Sequence, residues 1–305
     1  MSVLKVVIVN YRSADLAQKC IDSLPRECVY EVVIVDNSED GVEVARLQAL
    51  RSRSNVSIVE MAENVGFGAA VNRGVRYINP NESDVIWILN PDTTVEEGSS
   101  VLPCVELLQK GAFDLLSPII VHDDHPPTIW FAGGSINTKA GRVEHHKIRE
   151  VYEPPGWSSA PTGFLTGAGV MCMGATWLRL GGFREDLFMY WEDVDLSLRA
   201  LKEGLRLGLA STCVLRHKVG ASSSEAGMSE LFYYYNARNR VYVVRDTFGS
   251  ARLCHPLAIV ETLRGLLRPV RRERGTGSNS KLLASFRGTL AGLASVRASV
   301  RARSA

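Results

Sequence analysis

No stretch of this 305-residue sequence approaches the ~18 apolar residues that a membrane-spanning helix requires. Met1 to Asn10 holds one lysine, a short apolar core from Val6 to Val9 and no small-residue cleavage site, so it reads as a strand and not as a signal peptide. Cysteines are few and scattered. Cys20, Cys28, Cys104, Cys172, Cys213 and Cys254 form no CxxC pair and no metal-type spacing, which favours buried thiols in a reduced, cytoplasmic compartment. An excess of either charge is also missing, since the formal net charge is only +2. With 46% hydrophobic and 22% charged residues, collagen-like, coiled-coil and wholly disordered classes are excluded.

The small net charge hides an asymmetry. From Ala251 onward ten Arg and one Lys face only Glu261 and Glu273, giving +9 and leaving −7 for the first 250 residues. An acidic body carrying a basic tail asks for a reason.

Short β-branched runs alternate with helical patterns over the first ~120 residues. Lys5–Asn10, Glu31–Asp36, Val56–Glu60 and Asp84–Leu89 read as strands apolar on both faces; Ala14–Leu24 and Gly66–Tyr77 read as helices. That alternation predicts an α/β fold with a doubly wound, mostly parallel sheet. Ligands bind such sheets at the carboxyl ends of the strands, where Asn10, Asp36, Asn90 and Asp92 stand. The region from about 114 to 175 is rich in Pro and Gly turn signals and predicts mixed sheet and long loops. Helical patterns return at Trp191–Gly204 and Ser229–Phe248, and residues 271–280 read as a hinge.

Several constellations carry chemistry and also have plainer readings. In Leu89-Asn90-Pro91-Asp92-Thr93 a carboxylate just past a strand can hold a divalent cation, or Asp92 or Thr93 can cap a helix beginning near Val95. Glu192, Asp193 and Asp195 follow Phe188-Met-Tyr190-Trp191, so they either complement a helix N-terminus or include a desolvated general base. His217 at a strand end is a structural residue or a metal ligand. His122, His125, His145 and His146 read as solvated loop residues. Asn64-Val-Gly66-Phe-Gly68 and Asn72-Arg73-Gly74 bring backbone close to a ligand, but Val71 replaces the third glycine of a dinucleotide fingerprint.

These segments, in this order, resemble glycosyltransferase family 2, the inverting enzymes of GT-A fold, and most closely its rhamnosyltransferase-like branch. The resemblance rests on Val7-Ile-Val-Asn10-Tyr11, Val33-Ile-Val-Asp36-Asn37-Ser38, the Asn64–Gly74 segment, Leu89–Thr93, Thr166-Gly167-Ala168, Gly181-Gly182-Phe183, Phe188 to Leu196, and His217. It implies that Asn10, Asp36, Asn64, Gly66, Asn72, Asn90 and Asp92 meet a dTDP- or UDP-sugar, with Asp92 and His217 holding Mg2+ or Mn2+. Asn90-Pro91-Asp92 stands where the family has Asp-x-Asp, leaving one metal carboxylate. It further implies Asp193 as catalytic base with Glu192 beside it, and Gly167, Tyr190, Trp191 and Glu192 as acceptor contacts. The expected reaction transfers a sugar, rhamnose in that branch, to a glycan or polyprenyl-diphosphate-linked saccharide in cell-envelope polysaccharide synthesis.

The resemblance ends near Gly249. It divides the chain into a transferase domain, 1–249, and a basic helical tail, 250–305, partly disordered. Apolar residues at helical spacing with interspersed arginines suit helices lying on an anionic bilayer at the inner face of the plasma membrane, or amphipathic helices docked on the body. Arg238, Arg240 and Arg245 either meet phosphate or belong to a helix packed on the body. Nucleic acid is not an expected partner of the transferase. Two competing readings are a sugar-nucleotidyltransferase, which would need a Gly-rich loop after the first strand where Tyr11-Arg12-Ser13 stands, and a non-catalytic carbohydrate- or polyanion-binding module.

Overall fold

The computed structural model describes residues 3–153, 158–218, 227–273 and 278–303. The first half alternates strand and helix: β1 (Leu4–Asn10), α1 (Ala14–Asp22), β2 (Tyr30–Asp36), α2 (Gly41–Gln48), β3 (Val56–Glu60), α3 (Phe67–Ile78) and β4 (Val85–Leu89). The irregular middle supplies β5 (Thr93–Val95), α4 (Leu102–Gln109), β6 (Leu115–His122), β7 (Ile129–Phe131), β8 (Gly134–Asn137), β9 (Arg142–His145), β10 (Ala160–Pro161) and β11 (Met171–Met173). Then follow α5 (Gly174–Leu180), α6 (Glu192–Lys202), β12 (Leu207–His217), α7 (Glu230–Phe248), α8 (Pro256–Arg272) and α9 (Ser278–Arg303).

A single ten-stranded sheet runs β10-β12-β6-β11-β4-β1-β2-β3, with β5 added to β12 and β7 to β6; β8 and β9 form a separate hairpin. The β4-β1-β2-β3 portion is parallel, as the β-branched runs predict, and every residue of β1 is buried. β11 is antiparallel to both β4 and β6, which makes the second half mixed. Asn10 and Asp36 are register partners at the carboxyl ends of β1 and β2.

The expected helix near Val95 does not form. Thr93–Val95 instead pairs antiparallel with β12, placing Thr93 opposite His217, and the next helix waits until Leu102. Thr93 donates its hydroxyl to the Asn90 carbonyl (2.7 Å), closing the turn that a helix cap would have used. A helix not expected, α2, fills the β2–β3 connection and is capped by Asp40, whose carboxylate accepts from Val42 N.

The tail helices pack on α7. Arg240, buried on α7, donates to the carbonyls of Gly141, Ala140 and Ala258 and to the Thr262 hydroxyl, so it ties α8 and the β8–β9 turn to α7. α9 lies against α7 through small residues, Ala284, Ser285, Gly288 and Thr289. A Cβ on Gly288 would come 2.1 Å from the Tyr234 carbonyl oxygen, so only glycine allows this approach. Glu273 then accepts from Tyr233 Oη (2.7 Å), Met228 N (3.0 Å) and Lys281 Nζ (2.9 Å), joining the end of α8 to both neighbours. Part of the expected hinge, residues 274–277, lies outside the described residues. No helix among the described residues is long and apolar enough to cross a membrane.

We predict that Gly288→Val overpacks the α7–α9 contact by ~1–3 kcal/mol. Limited proteolysis should then cut the tail earlier than in the wild type while the body keeps its melting temperature; unchanged tail cleavage would show that α9 is held elsewhere.

Candidate active site

At the carboxyl end of β1 and β2 a buried polar network takes shape. The Asn10 amide nitrogen lies 3.0 Å from Asp36 Oδ1, 3.1 Å from Glu43 Oε1 and 3.3 Å from Ser38 Oγ. Ser38 donates to Asp36 Oδ1 (2.6 Å) and accepts from Arg12 N. Glu43, which sequence reasoning did not single out, also accepts from Ala14 N (2.6 Å) at the start of α1. Asn10 is fully buried, so in this arrangement its amide serves Asp36 and its neighbours. One loop further, the Asn64 side-chain carbonyl accepts from Asn37 Nδ2 (2.7 Å) and Gly66 N (3.0 Å), setting the entry to α3. Asn72 sits apart from this group: its amide accepts from Phe183 N and donates to the Phe183 carbonyl and Glu185, tying α3 to the Gly181-Gly182-Phe183 turn.

Asp92 and His217 meet because β5 pairs with β12. His217 Nε2 is 3.1 Å from Asp92 Oδ1, and both side chains are largely buried. Trp130 packs edge-on against the imidazole, with ring centroids 4.4 Å apart. His217 Nδ1 is buried without a hydrogen-bond partner. No group of three or more Cys, His, Asp or Glu residues with metal-binding geometry occurs among the described residues. Two adjoining donors fit Mg2+ or Mn2+ only where phosphate and water oxygens complete the shell, the usual arrangement for Mg2+ beside a nucleotide.

The second acidic cluster is placed by a strained turn. Phe188, Tyr190 and Trp191 all have positive φ (66°, 65° and 74°), a conformation that costs non-glycine residues ~1–3 kcal/mol each. Packing and hydrogen bonds compensate. Asn239, fully buried on α7, places its amide nitrogen 2.8 Å from the carbonyls of Leu187, Met189 and Tyr190. Arg238 donates to the carbonyls of Asp186 and Leu187, and Trp191 Nε1 donates to Asn236 Oδ1 (3.1 Å). Phe188 stacks on Tyr235, and its carbonyl accepts from Phe67 N (2.7 Å). Gly66 is required there, since a Cβ would lie 2.2 Å from that carbonyl oxygen. Arg238 and Arg240 thus donate to the chain's own carbonyls, the plainer of their two readings.

Glu192 and Asp193 open α6 directly after this turn. Asp193 Oδ2 accepts from Gly167 N (3.2 Å) and Oδ1 from Val194 N (2.8 Å). Burial raises its pKa to about 6, and these backbone N–H groups limit the rise. Burial, and then the charge of Asp193, push Glu192 well above the usual carboxylate range; its Oε2 has no partner. The environment therefore favours a neutral Glu192 beside an Asp193 that ionises first. Asp195 instead pairs with Arg199 (2.7 Å) within the helix.

Glu192 and Asp193 line a cavity of about 360 Å3 together with Tyr190, Trp191, His145 and Arg268. His145 is not the solvated loop residue its sequence neighbours imply. It packs among Trp130, Phe131 and Phe164, and burial lowers its pKa. The β8–β9 pairing that turns it inward has only the short Arg142–His145 alternation as its sequence signal. So the structure brings together Asn10 with Asp36, Asp92 with His217, and Gly167 with Asp193.

The curled, mostly parallel α/β sheet with its mixed second half and C-terminal helices is the GT-A fold of glycosyltransferases. The chain belongs to glycosyl transferase family 2, whose model matches residues 5–178. It is an enzyme of that class. Among its relatives, the N-acetylglucosaminyl-diphospho-decaprenol L-rhamnosyltransferase of Mycobacterium tuberculosis is 28% identical over 255 residues, covering 73% of this chain and 78% of the relative. The low-salt glycan biosynthesis hexosyltransferase Agl10 of Haloferax volcanii is 21% identical over 258 residues, covering 81% and 77%. Among solved structures, a Pyrobaculum calidifontis mannosyltransferase in complex with GDP-Man and Mn2+ shares the fold at a TM-score of 0.55 and 16% identity, covering 94% of this chain and 86% of that one. TarS 1–349 of S. aureus in complex with UDP-GlcNAc does so at 0.56 and 14%, covering 93% and 79%.

Replacing Asn239 by Leu removes the amide donor from the three carbonyls of the turn at nearly constant volume. We predict a loss of ~2–4 kcal/mol in chemical denaturation, since buried acceptors are left without a donor. A loss under ~0.5 kcal/mol would mean that the turn keeps its shape without Asn239.

Proposed function

We propose that the protein is an inverting glycosyltransferase that moves a sugar, rhamnose in the first instance, from a dTDP- or UDP-sugar to a hydroxyl of a lipid-linked saccharide in cell-envelope glycan synthesis. The observation that carries this reading is Asp193: a carboxylate raised to about 6, oriented by two backbone N–H groups, at a cavity wide enough for a sugar. The names of the relatives support the sugar and the acceptor class: the mycobacterial one is named for L-rhamnose and a diphospho-decaprenol acceptor.

In this reading Asp36 and the Asn64–Gly66 turn hold the nucleotide at the carboxyl edge of the sheet. Asp92 and His217 would hold Mg2+ or Mn2+, which when bound neutralises charge on the diphosphate. Asn90 keeps the Asp92 turn closed through its carbonyl bond to Thr93. On the other side Gly167, Tyr190 and Trp191 shape the acceptor's place, and Asp193 accepts a hydrogen bond from its hydroxyl. As that oxygen bonds to the anomeric carbon, its proton passes to Asp193, and the carbon–oxygen bond to the diphosphate breaks on the opposite face. Neutral Glu192 keeps a second negative charge away from Asp193 and can donate to an acceptor oxygen. Residues 1–249 would carry this chemistry. The exposed apolar residues of α8 and of the first part of α9, to Leu293, with the arginines among them, would hold the enzyme peripherally on an anionic membrane at its cytoplasmic face.

Asp193→Asn should lower turnover by ~10²–10⁴-fold while nucleotide-sugar affinity, measured by calorimetry, stays within about twofold. In the wild type Asp193 is protonated, and unable to act as base, below its pKa. Turnover should therefore fall as pH drops through about 6. Near-normal turnover by the Asn variant, or an acid limb unchanged by it, would remove Asp193 from the role of base.

A further inference from the structure

Asn10 stands at the carboxyl edge of the sheet, yet its side chain is fully buried and spent at both ends. The carbonyl end, Oδ1, accepts from Ser13 N (3.2 Å) and from the Ser13 hydroxyl (3.0 Å). The nitrogen end donates to Asp36 Oδ1 and Glu43 Oε1, with Ser38 Oγ beside them. An amide nitrogen carries two hydrogens, so two carboxylates consume it. Turned the other way, the amide would set its oxygen against both carboxylates. Glu43 and Asp36 together fix its orientation.

Glu43 belongs to α2, the unexpected helix between β2 and β3. Asp40 caps that helix, and its first turn buries Glu43 beneath the end of β1. Glu43 Oε1 also accepts from Ala14 N, at the first residue of α1 (2.6 Å). Ser13, the N-cap residue of α1, makes no side-chain cap bond, because its hydroxyl serves Asn10. A carboxylate from another helix therefore caps α1. Its ion pair is a long one, 3.9 Å from Oε2 to the exposed Arg46. Burying a carboxylate costs more than a cap requires, since a serine hydroxyl at the same place would do. The charge has a second task.

That task is visible at Asp36. Its Oδ1 accepts from both Asn10 and the Ser38 hydroxyl, whereas Oδ2 makes no hydrogen bond among the described residues. A free carboxylate turns about its last bond with a broad, two-fold profile. With Oδ1 tied twice, the turning stops, and Oδ2 is the oxygen left to accept from a ligand.

We propose that Glu43 is a positioning residue for the nucleotide-sugar: through the Asn10 amide it locks Asp36 with one carboxylate oxygen free for the nucleotide, and Asn10 itself does not touch the ligand. This deepens the transferase reading and rests on it, since that reading seats the nucleotide at Asp36. Donor affinity then depends on α2, whose Glu43 sets the acceptor before the ligand arrives and so lowers the cost of ordering it.

Nucleotide binding reads this without catalysis. Full-length protein with Mg2+ is titrated calorimetrically with UDP and with dTDP, and the melting temperature of each variant is recorded. Glu43→Leu leaves one Asn10 hydrogen unspent and the amide free to turn. We expect its nucleotide affinity to fall at least ~10-fold, the usual effect of losing a charge-assisted contact. Glu43→Gln keeps an Oε1 that accepts from Asn10 and Ala14, and should return affinity to near the wild-type value. Ser38→Ala removes the other tie on Asp36 Oδ1 while leaving the cap of α1 whole, so affinity should fall several-fold at an unchanged melting temperature. Wild-type affinity in Glu43→Leu or in Ser38→Ala would overturn the proposal. So would a Glu43→Gln variant that binds as weakly as Glu43→Leu. Wild-type protein that binds neither UDP nor dTDP would defeat the transferase reading, whereas wild-type affinity in the variants defeats only this one.

Discussion

Asn239, buried on α7, places one side-chain amide against three carbonyls of the turn that leads into α6, and the placement of the acidic pair depends on it. That turn holds three non-glycine residues at positive φ, a conformation that would relax without support. Because it is held, α6 begins at Glu192 and the first helical turn carries Glu192 and Asp193 into the cavity wall. The same turn explains Gly66, whose missing side chain lets the Phe188 carbonyl reach the start of α3. One amide thereby couples the start of α3 to the start of α6.

Two carboxylates in sequence then acquire different characters from their partners. Asp193 receives backbone N–H groups that favour its ionised form, while Glu192 has a buried oxygen with no partner and a neighbouring charge. Neighbouring groups pushed apart in proton affinity are how a protein separates a base from a bystander. Charge is segregated on a larger scale as well. The acidic first 250 residues hold the carboxylates of the candidate site, and the +9 tail contributes Glu261 and Arg268 to the cavity lining. A net charge of +2 is thus a sum over two parts of opposite sign.

Much of the fold was legible in the sequence because parallel strands buried on both faces must be continuous β-branched runs, and Val6–Val9 or Val32–Val35 have few other uses. The Asp92–His217 encounter was legible only through family resemblance. Residues 125 positions apart meet through the pairing of β5, a three-residue strand whose Thr-Thr-Val carries little signal and resembled a helix start. The role of Asn239 was not legible at all, since its partners are carbonyls, which every residue possesses. His145 was misread for a similar reason: polar neighbours suggested solvent, while the β8–β9 hairpin turned its ring among three aromatic side chains. Gly288 carried no sequence signal of its own, and only the structure shows it against the Tyr234 carbonyl of α7.

The proposed reaction is a single direct displacement, with Asp193 as base and no covalent sugar–enzyme intermediate. Its most direct test is the anomeric configuration of the product, from the one-bond C1–H1 coupling in NMR, for whichever UDP- or dTDP-sugar the enzyme consumes. A single displacement gives a new glycosidic bond of configuration opposite to that of the donor. A product that keeps the donor's configuration would contradict it.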